Sequence, residues 1–158
     1  MSEDSACHVT PCAPGCCTCT EITATVVCND LNITTIPQNI PEWTRVFIVS
    51  LTNISTVSAG SFNSMPYLTH LYLISNQISH IDDDTFVNLT QLQELRLAYN
   101  KLSNVTLRTF ANNALTRLRL DSNLLTSVPD LGNTPQLREL YLTKNMISNV
   151  TFPEGYQK

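Results

Sequence analysis

Six cysteines, three histidines, an aspartate triplet and a set of asparagine triplets are the side chains with chemistry to offer, and their spacing narrows what that chemistry is. Cys7, Cys12, Cys16, Cys17, Cys19 and Cys28 all lie in the first 28 residues, and no cysteine follows. An even number gathered at one end of a Cys-free body fits disulfides closed in an oxidising compartment. Zinc is the rival, with Cys12, Cys16, Cys17, Cys19, Cys28 and His8 as donors, but the paired CxxC knuckles of structural zinc are absent. We expect a stapled terminal element with no metal and no other cofactor. His8, His70 and His80 have no spacing that groups them with a nucleophile or a carboxylate pair, so no catalytic residue is assigned and the chain is not expected to be an enzyme. Asp82-Asp83-Asp84 offers carboxylates to calcium, yet it stands directly before Thr85-Phe86, where a solvated turn or a helix N-cap is the better reading. Asn-x-Ser/Thr triplets at Asn32, Asn53, Asn88, Asn104 and Asn149 are candidate N-glycosylation sites. Chance gives about three in a chain this rich in Asn, Ser and Thr, so the excess is modest.

The body that must position these groups has 158 residues, 42% hydrophobic and 14% charged, with 20 Leu and 10 Ile. That suffices for a core. A net charge of -4 argues against nucleic acid as a partner. No apolar run approaches the roughly 18 residues of a membrane span, and Met1-Ser2-Glu3-Asp4-Ser5-Ala6 opens without the apolar stretch of a signal peptide. With four glycines and no GxGxxG or Walker-type loop, phosphate-cradling folds have no support.

Internal repetition organises the rest. The pattern L-x-x-L-x-L-x-x-N-x-I/L-x-x-I/V recurs in units that begin at Thr44, Leu68, Leu92, Leu115 and Leu137, 22 to 24 residues apart. We divide the chain into a cysteine-rich cap over 1–43, repeats over 44–150 and a degenerate C-terminal segment over 151–158. The pairs Phe47/Val49, Leu71/Leu73, Leu95/Leu97, Leu118/Leu120 and Leu140/Leu142 alternate with other residues, the mark of one short strand per unit buried on one face. A unit this small cannot bury its own apolar edge, so the units must stack into a parallel solenoid. Asn76, Asn100, Asn123 and Asn145 hold the ninth position, where the chain leaves the strand. An amide there has donors and acceptors for backbone groups that a turn leaves open. Thr52 takes that place in the first unit. Phe62, Phe86 and Phe110 recur on the return side, whereas the fourth unit is shorter and has Val128-Pro129-Asp130-Leu131 instead.

This repeat resembles that of extracellular leucine-rich repeat proteins over roughly residues 12–150. Cys12-Ala13-Pro14-Gly15-Cys16-Cys17-Thr18-Cys19, then Val26-Val27-Cys28 and the Leu31 to Pro41 segment, is similar to the N-terminal cysteine cap of small leucine-rich proteoglycans, variable lymphocyte receptors and many receptor ectodomains. The resemblance implies a β-dominated α/β horseshoe, a right-handed leucine-rich repeat solenoid with a parallel concave sheet and a disulfide-bonded cap. It also implies Cys12–Cys19 and Cys17–Cys28 pairing. Cys7 and Cys16 would then form a further bridge outside the usual pattern. Two departures stand out. The pattern breaks down after Val150 with no cysteine cap, so we expect a fragment that self-associates through an open C-terminal end. No Ser-Gly dipeptide is present to signal glycosaminoglycan attachment.

Side-chain alternation directs positions three, five and seven of each unit to the concave face. Column three is Val46, His70, Glu94, Arg117, Glu139; column five is Ile48, Tyr72, Arg96, Arg119, Tyr141; column seven is Ser50, Ile74, Ala98, Asp121, Thr143. Val46, Ile48, Tyr72 and Ile74 form an apolar patch, and Arg96 and Arg119 are adjacent like charges near Arg117 and Tyr141. A self-satisfied surface ladder explains these residues without any ligand. A binding face for a protein ligand, acidic because of the Arg pair, is the reading we favour, with Val46, Ile48, Tyr72, Ile74, Arg96, Arg117, Arg119 and Tyr141 as its residues. The expected function is therefore an extracellular binding module in a secreted protein or receptor ectodomain. A structural matrix component and an immune-type receptor, both implied by the resemblance, are the alternatives.

Overall fold

A computed structural model describes residues 17–112 and 114–152, and within them the sequence periods become strands. In chain order these are β1 Cys17–Thr20, β2 Thr25–Cys28, β3 Val46–Val49, β4 Thr56–Val57, β5 His70–Tyr72, β6 His80–Ile81, β7 Glu94–Arg96, β8 Arg117–Arg119 and β9 Glu139–Tyr141. Seven form one sheet ordered β1-β2-β3-β5-β7-β8-β9, parallel from β2 onward, while β4 and β6 make a two-stranded parallel sheet on the return side. The described return segments are otherwise turns and irregular chain, with no helix.

Register follows the apolar fourth position: Phe47 pairs with Leu71, Leu71 with Leu95, Leu95 with Leu118 and Leu118 with Leu140. A slip of one residue would turn these side chains out to water, so the apolar period itself selects the stacking. Phe47, Phe62, Phe86, Phe110 and the strand leucines through Leu120 are buried. Phe62 stacks on Phe86 at 5.9 Å and meets Phe47 edge-on at 6.5 Å, filling the space between strand and return. In the fourth unit Val128 and Leu131 fill the same layer with smaller side chains. Leu137, Leu140, Leu142 and Ile147 of the fifth unit are only partly buried, and Met146, Val150 and Phe152 are exposed; the expected self-association concerns these side chains.

The ninth-position amides close each turn inward. Asn100 donates from Nδ2 to the Leu73, Leu97 and Ala98 carbonyls at 2.7, 3.0 and 3.3 Å, and its Oδ1 accepts the Ile78 N–H at 3.1 Å. Asn123 does the same for Leu97, Leu120 and Asp121 and for the Leu102 N–H, and Asn145 serves the Leu120 carbonyl and the Leu125 N–H. Each amide therefore ties its own unit to the one before. Thr52 works as a relay: its hydroxyl accepts the Ile54 N–H at 3.2 Å and donates to Asn76 Oδ1 at 2.7 Å. Just before each of these residues the chain turns through a left-handed position, at Leu51, Ser75, Tyr99, Ser122 and Lys144, with φ between 55° and 59° and no glycine to ease it. The inward amide bonds overdetermine that conformation.

The cap enters the same sheet. β1 and β2 form an antiparallel hairpin in which Cys17 faces Cys28, and these two are joined by a disulfide. β2 then pairs with β3 from Thr25↔Val46 to Cys28↔Val49, as a preceding repeat would. Val26 and Cys28 are fully buried, so the crosslink fastens the hairpin to the end of the core. Cys19 is also disulfide-bonded. The expected partner Cys12 and the expected Cys7–Cys16 bridge lie outside the described residues. Among those residues no helix is long and apolar enough to cross a membrane.

Candidate functional site

The concave sheet brings the expected binding residues together in two groups. On β3 and the β5 segment, Val46, Ile48, Tyr72 and Ile74 are half-buried neighbours, with Ile48 directly opposite Tyr72. His70 meets the Tyr72 ring edge-on at 6.1 Å, and its Nδ1 is 2.9 Å from the Thr69 hydroxyl. Because the sheet directs their side chains away from the leucine core, these apolar atoms border solvent.

The second group spans β7, β8 and β9, and here the arginines engage acids and tyrosines of the same face, as a self-satisfied ladder would. Arg96 donates from Nε to Glu94 Oε1 at 2.6 Å, and its guanidinium lies 4.2 Å over the Tyr72 ring. Arg119 donates to Asp121 Oδ2 at 3.0 Å and lies 4.7 Å over the Tyr141 ring. The two guanidiniums thus lean toward opposite flanks, each over its own tyrosine. Arg117 makes a two-point contact with Glu139 at 2.8 and 2.9 Å and reaches Glu94 at 3.5 Å. The Tyr141 hydroxyl donates to Glu139 at 2.8 Å, and the Thr143 hydroxyl to Asp121 at 2.7 Å. Not every concave position is exposed, either: Glu94 and Asp121 are only 4% and 7% accessible, because the cationic and aromatic side chains around them fold across.

Electrostatics follow this geometry. Burial alone would raise the Glu94 carboxyl, but the Arg96 hydrogen bond and the charges of Arg96, Arg117 and His70 outweigh it and hold the pKa below the ordinary value. The Arg117 and Tyr141 hydrogen bonds push Glu139 down to about 2, and the same contact raises Arg117. Tyr72 is raised by burial and then by Glu94, and Tyr141 by its bond to Glu139. Three arginines and three carboxylates are therefore matched on this face. A carboxylate ligand would have to displace a partner that is already in place.

On the return side the aspartate triplet is divided among three partners rather than gathered around one point. Asp82 accepts the Ala59 N–H at 3.1 Å and bonds His80 at 2.9 Å; the backbone bond first and the His80 bond second lower its pKa. Asp83 accepts the Thr106 hydroxyl at 2.6 Å, and Asp84 pairs with Arg108. The segment is a turn that tacks neighbouring units together, and the Thr85 hydroxyl donates to the Asp82 carbonyl at 2.6 Å. Sequence reasoning passed over Asn112, which is buried and donates to the Phe86 and Leu89 carbonyls at 2.6 and 3.0 Å while accepting the Ala114 and Leu115 N–H groups. It stands three residues before a unit start, where Met65 and Leu89 stand in earlier units. An asparagine at that apolar offset was the available signal.

Comparisons with known proteins agree with the geometry. The leucine rich repeat family model matches residues 44–102 and 91–147. Human epiphycan is 32% identical over 147 residues, covering 89% of this chain and 44% of epiphycan, and mouse mimecan is 31% identical over 162 residues, covering 87% and 53%. The chain thus spans about half or less of these relatives' length. Mouse CD180 antigen is 28% identical over 86% of the chain and 21% of its own length. The solved TLR13–ssRNA13 complex superposes with a TM-score of 0.74 at 27% identity over 82% of this chain and 19% of that one. With its in-register repeat strands, inward asparagine column and disulfide-fastened N-terminal hairpin, the chain belongs to the leucine-rich repeat family, as a relative of epiphycan, mimecan and repeat-built receptor ectodomains.

Proposed function

We propose that the chain is an extracellular protein-binding module, part of a longer secreted protein or receptor ectodomain, that takes its ligand on the concave face. The observation that carries this reading is the half-exposed apolar group Val46, Ile48, Tyr72 and Ile74 on a sheet whose backbone is already fixed, continuous with two arginine-on-tyrosine stacks. Aromatic and arginine side chains dominate binding energy at interfaces, and a preorganised sheet presents them with little ordering cost. Because the charges are matched internally, the ligand docks chiefly on the apolar group, with weak dependence on salt. The disulfides support an oxidising, extracellular location.

Likeness to epiphycan and mimecan favours a second reading, a structural matrix component that uses the same face. Likeness to CD180 and TLR13 is the support for an immune-type receptor. The ssRNA named with TLR13 is not carried over, since the net charge is -4 and the three concave arginines among the described residues are paired with carboxylates rather than free for phosphates.

A photo-crosslinking residue at Ile48 is compared with one at Val87, exposed on the return side, in protein incubated with cells that secrete or display candidate ligands. Adducts are expected from Ile48 alone, and excess unlabelled protein should suppress them while excess Ile48→Ser/Ile74→Ser should not. Equal labelling from Val87, or full competition by the double variant, defeats the concave-face reading.

A further inference from the structure

We infer that Asn32, Asn53, Asn88, Asn104 and Asn149 carry N-linked oligosaccharides, and that this carbohydrate is confined to the return side and one edge of the solenoid, leaving the concave sheet bare. The inference rests on the extracellular reading above. All five asparagines are exposed, whereas the buried Asn76, Asn100, Asn112 and Asn123 are followed two residues on by Ile78, Leu102, Ala114 and Leu125. Register explains the split. For the ladder asparagines the second following residue is a core position, which cannot be a hydroxyl without leaving a buried polar group, so an amide that builds the fold cannot also be an acceptor triplet.

Placement is equally ordered. Asn32 and Asn53 each lie four residues after Cys28 and Val49, which are partners in the β2–β3 register, so the two occupy one column on the edge where the chain leaves the sheet. Asn53 donates from its backbone N–H to the Ile33 carbonyl at 2.9 Å and from Nδ2 to the Leu31 carbonyl at 2.6 Å, gripping the chain on both sides of Asn32. A glycosylated amide still keeps one N–H donor. Asn104 and Asn149 stand twelve residues into their units, the offset at which Thr56 and His80 open the return-side strands β4 and β6. Asn88 lies in the return-side turn between Phe86 and Leu89. Positions three, five and seven of the five units hold no asparagine.

The donor is a polyprenyl diphosphate-linked oligosaccharide. Asn Nδ2 attacks the anomeric carbon, the N–C bond forms as the C–O bond to diphosphate breaks, polyprenyl diphosphate leaves with the electron pair, and the amide loses one proton. The bulky, hydrated product excludes macromolecules from the surface around it. A coat on the return side and one edge directs a protein ligand to the sheet.

The test is to secrete the chain from a eukaryotic cell behind a cleaved leader, release glycans with a peptide N-glycosidase in heavy-oxygen water, and map the labelled aspartates by mass spectrometry. Label at a majority of the five sites is expected, and label at a minority overturns the assignment. Two single substitutions test the bare face. Ile48→Asn completes an acceptor triplet with Ser50, and Tyr141→Asn completes one with Thr143. Each should gain one glycan on the concave side and lose adducts from a crosslinker at Ile74, which the native glycans leave intact. If the native sites are occupied but a concave glycan leaves those adducts undiminished, the glycan assignment stands and the concave-face function fails. Occupancy is read by mass alone, so the two failures are distinguishable.

Discussion

Two columns of polar side chains cross the same sheet, the asparagines inside it and the charged residues on its concave face, and they hold their partners by different rules. Inside, each amide donates to the sixth-position carbonyl of the preceding unit, and the oxygens of Asn100, Asn123 and Asn145 accept the N–H of that unit's next core residue, a link that Thr52 relays for Asn76. Those backbone groups are fixed in space and, except around Asn145, shut off from water, so one side chain fits and it recurs four times. Outside, partners are side chains that can lean either way. Arg96 and Arg119 each turn to an acid two residues away in their own unit, whereas Arg117 crosses to the neighbouring strand. The inner column therefore specifies the fold, and the outer one adjusts to whatever residues the face carries.

The sharpest way to break this comparison is at its buried end. Asn100→Ala strands the Ile78 N–H and the Leu73 carbonyl without water, and Asn123→Ala does the same to the Leu102 N–H and the Leu97 carbonyl. Each should cost about 1–3 kcal/mol in urea melts. Asn145→Ala should cost less, since Asn145 is only half-buried and water can reach the groups it leaves. Equal losses at all three positions would contradict the burial gradient. A milder probe is Thr52→Val, which keeps the shape but removes the acceptor for Ile54 N–H, with an expected loss of about 1–2 kcal/mol.

The same contrast decides what the sequence reveals. Strand positions, register, the asparagine column and the cap were legible, because each reflects a constraint repeated at fixed spacing: Leu71, Leu95 and Leu118 face inward for one reason, and the period exposes it. Partner choice on the concave face was not. The sequence places Arg96 beside Arg119, but only side-chain conformations place one over Tyr72 and the other over Tyr141. Glu94 is hidden for a similar reason: its concave position predicts exposure, and its burial comes from neighbours closing over it. Asn112 escaped because it acts once, where the third unit's return gives up an apolar residue, and a single event leaves no period to read.

Glu94→Gln lies between the two columns. The carboxylate is buried and serves Arg96, Arg117, His70 and the Tyr72 hydroxyl, but its cationic partners are partly exposed and can turn to water. The expected loss is about 1 kcal/mol, below that of a ladder asparagine. Linkage gives the pH dependence. Glu139, with a folded pKa of about 2 against 4.5, and Glu94, shifted the same way, contribute stability that is present above pH 4.5 and lost as pH falls toward 2. Tyr72 and Tyr141 are raised above 10.0, so they bind protons more tightly when folded, and stability falls again as pH rises beyond that value. Urea midpoints should be level between these limits and decline on both sides. A midpoint that keeps rising as pH is lowered from 4.5 would refute the assigned carboxylate contacts.

The smallest effect is expected at Glu139, although its geometry is the best of the ion pairs. Arg117 approaches it at two points and Tyr141 donates to it as well, so a tally of bonds would rank it above Glu94. Exposure reverses that order. Both members of the Glu139–Arg117 pair are about two-fifths accessible, so water replaces much of what the contact provides, and holding two long side chains in one geometry costs entropy. Gln at this position keeps one acceptor oxygen, which has lone pairs for both Arg117 Nε and the Tyr141 hydroxyl, and Arg117 retains Glu94 at 3.5 Å. Glu139→Gln should therefore leave the urea midpoint at neutral pH unresolved from that of the parent, while reducing the fall in stability below pH 4.5. A neutral-pH loss at Glu139 as large as that of Glu94→Gln would mean that the outer column is as tightly specified as the inner one, and the distinction between them would fail.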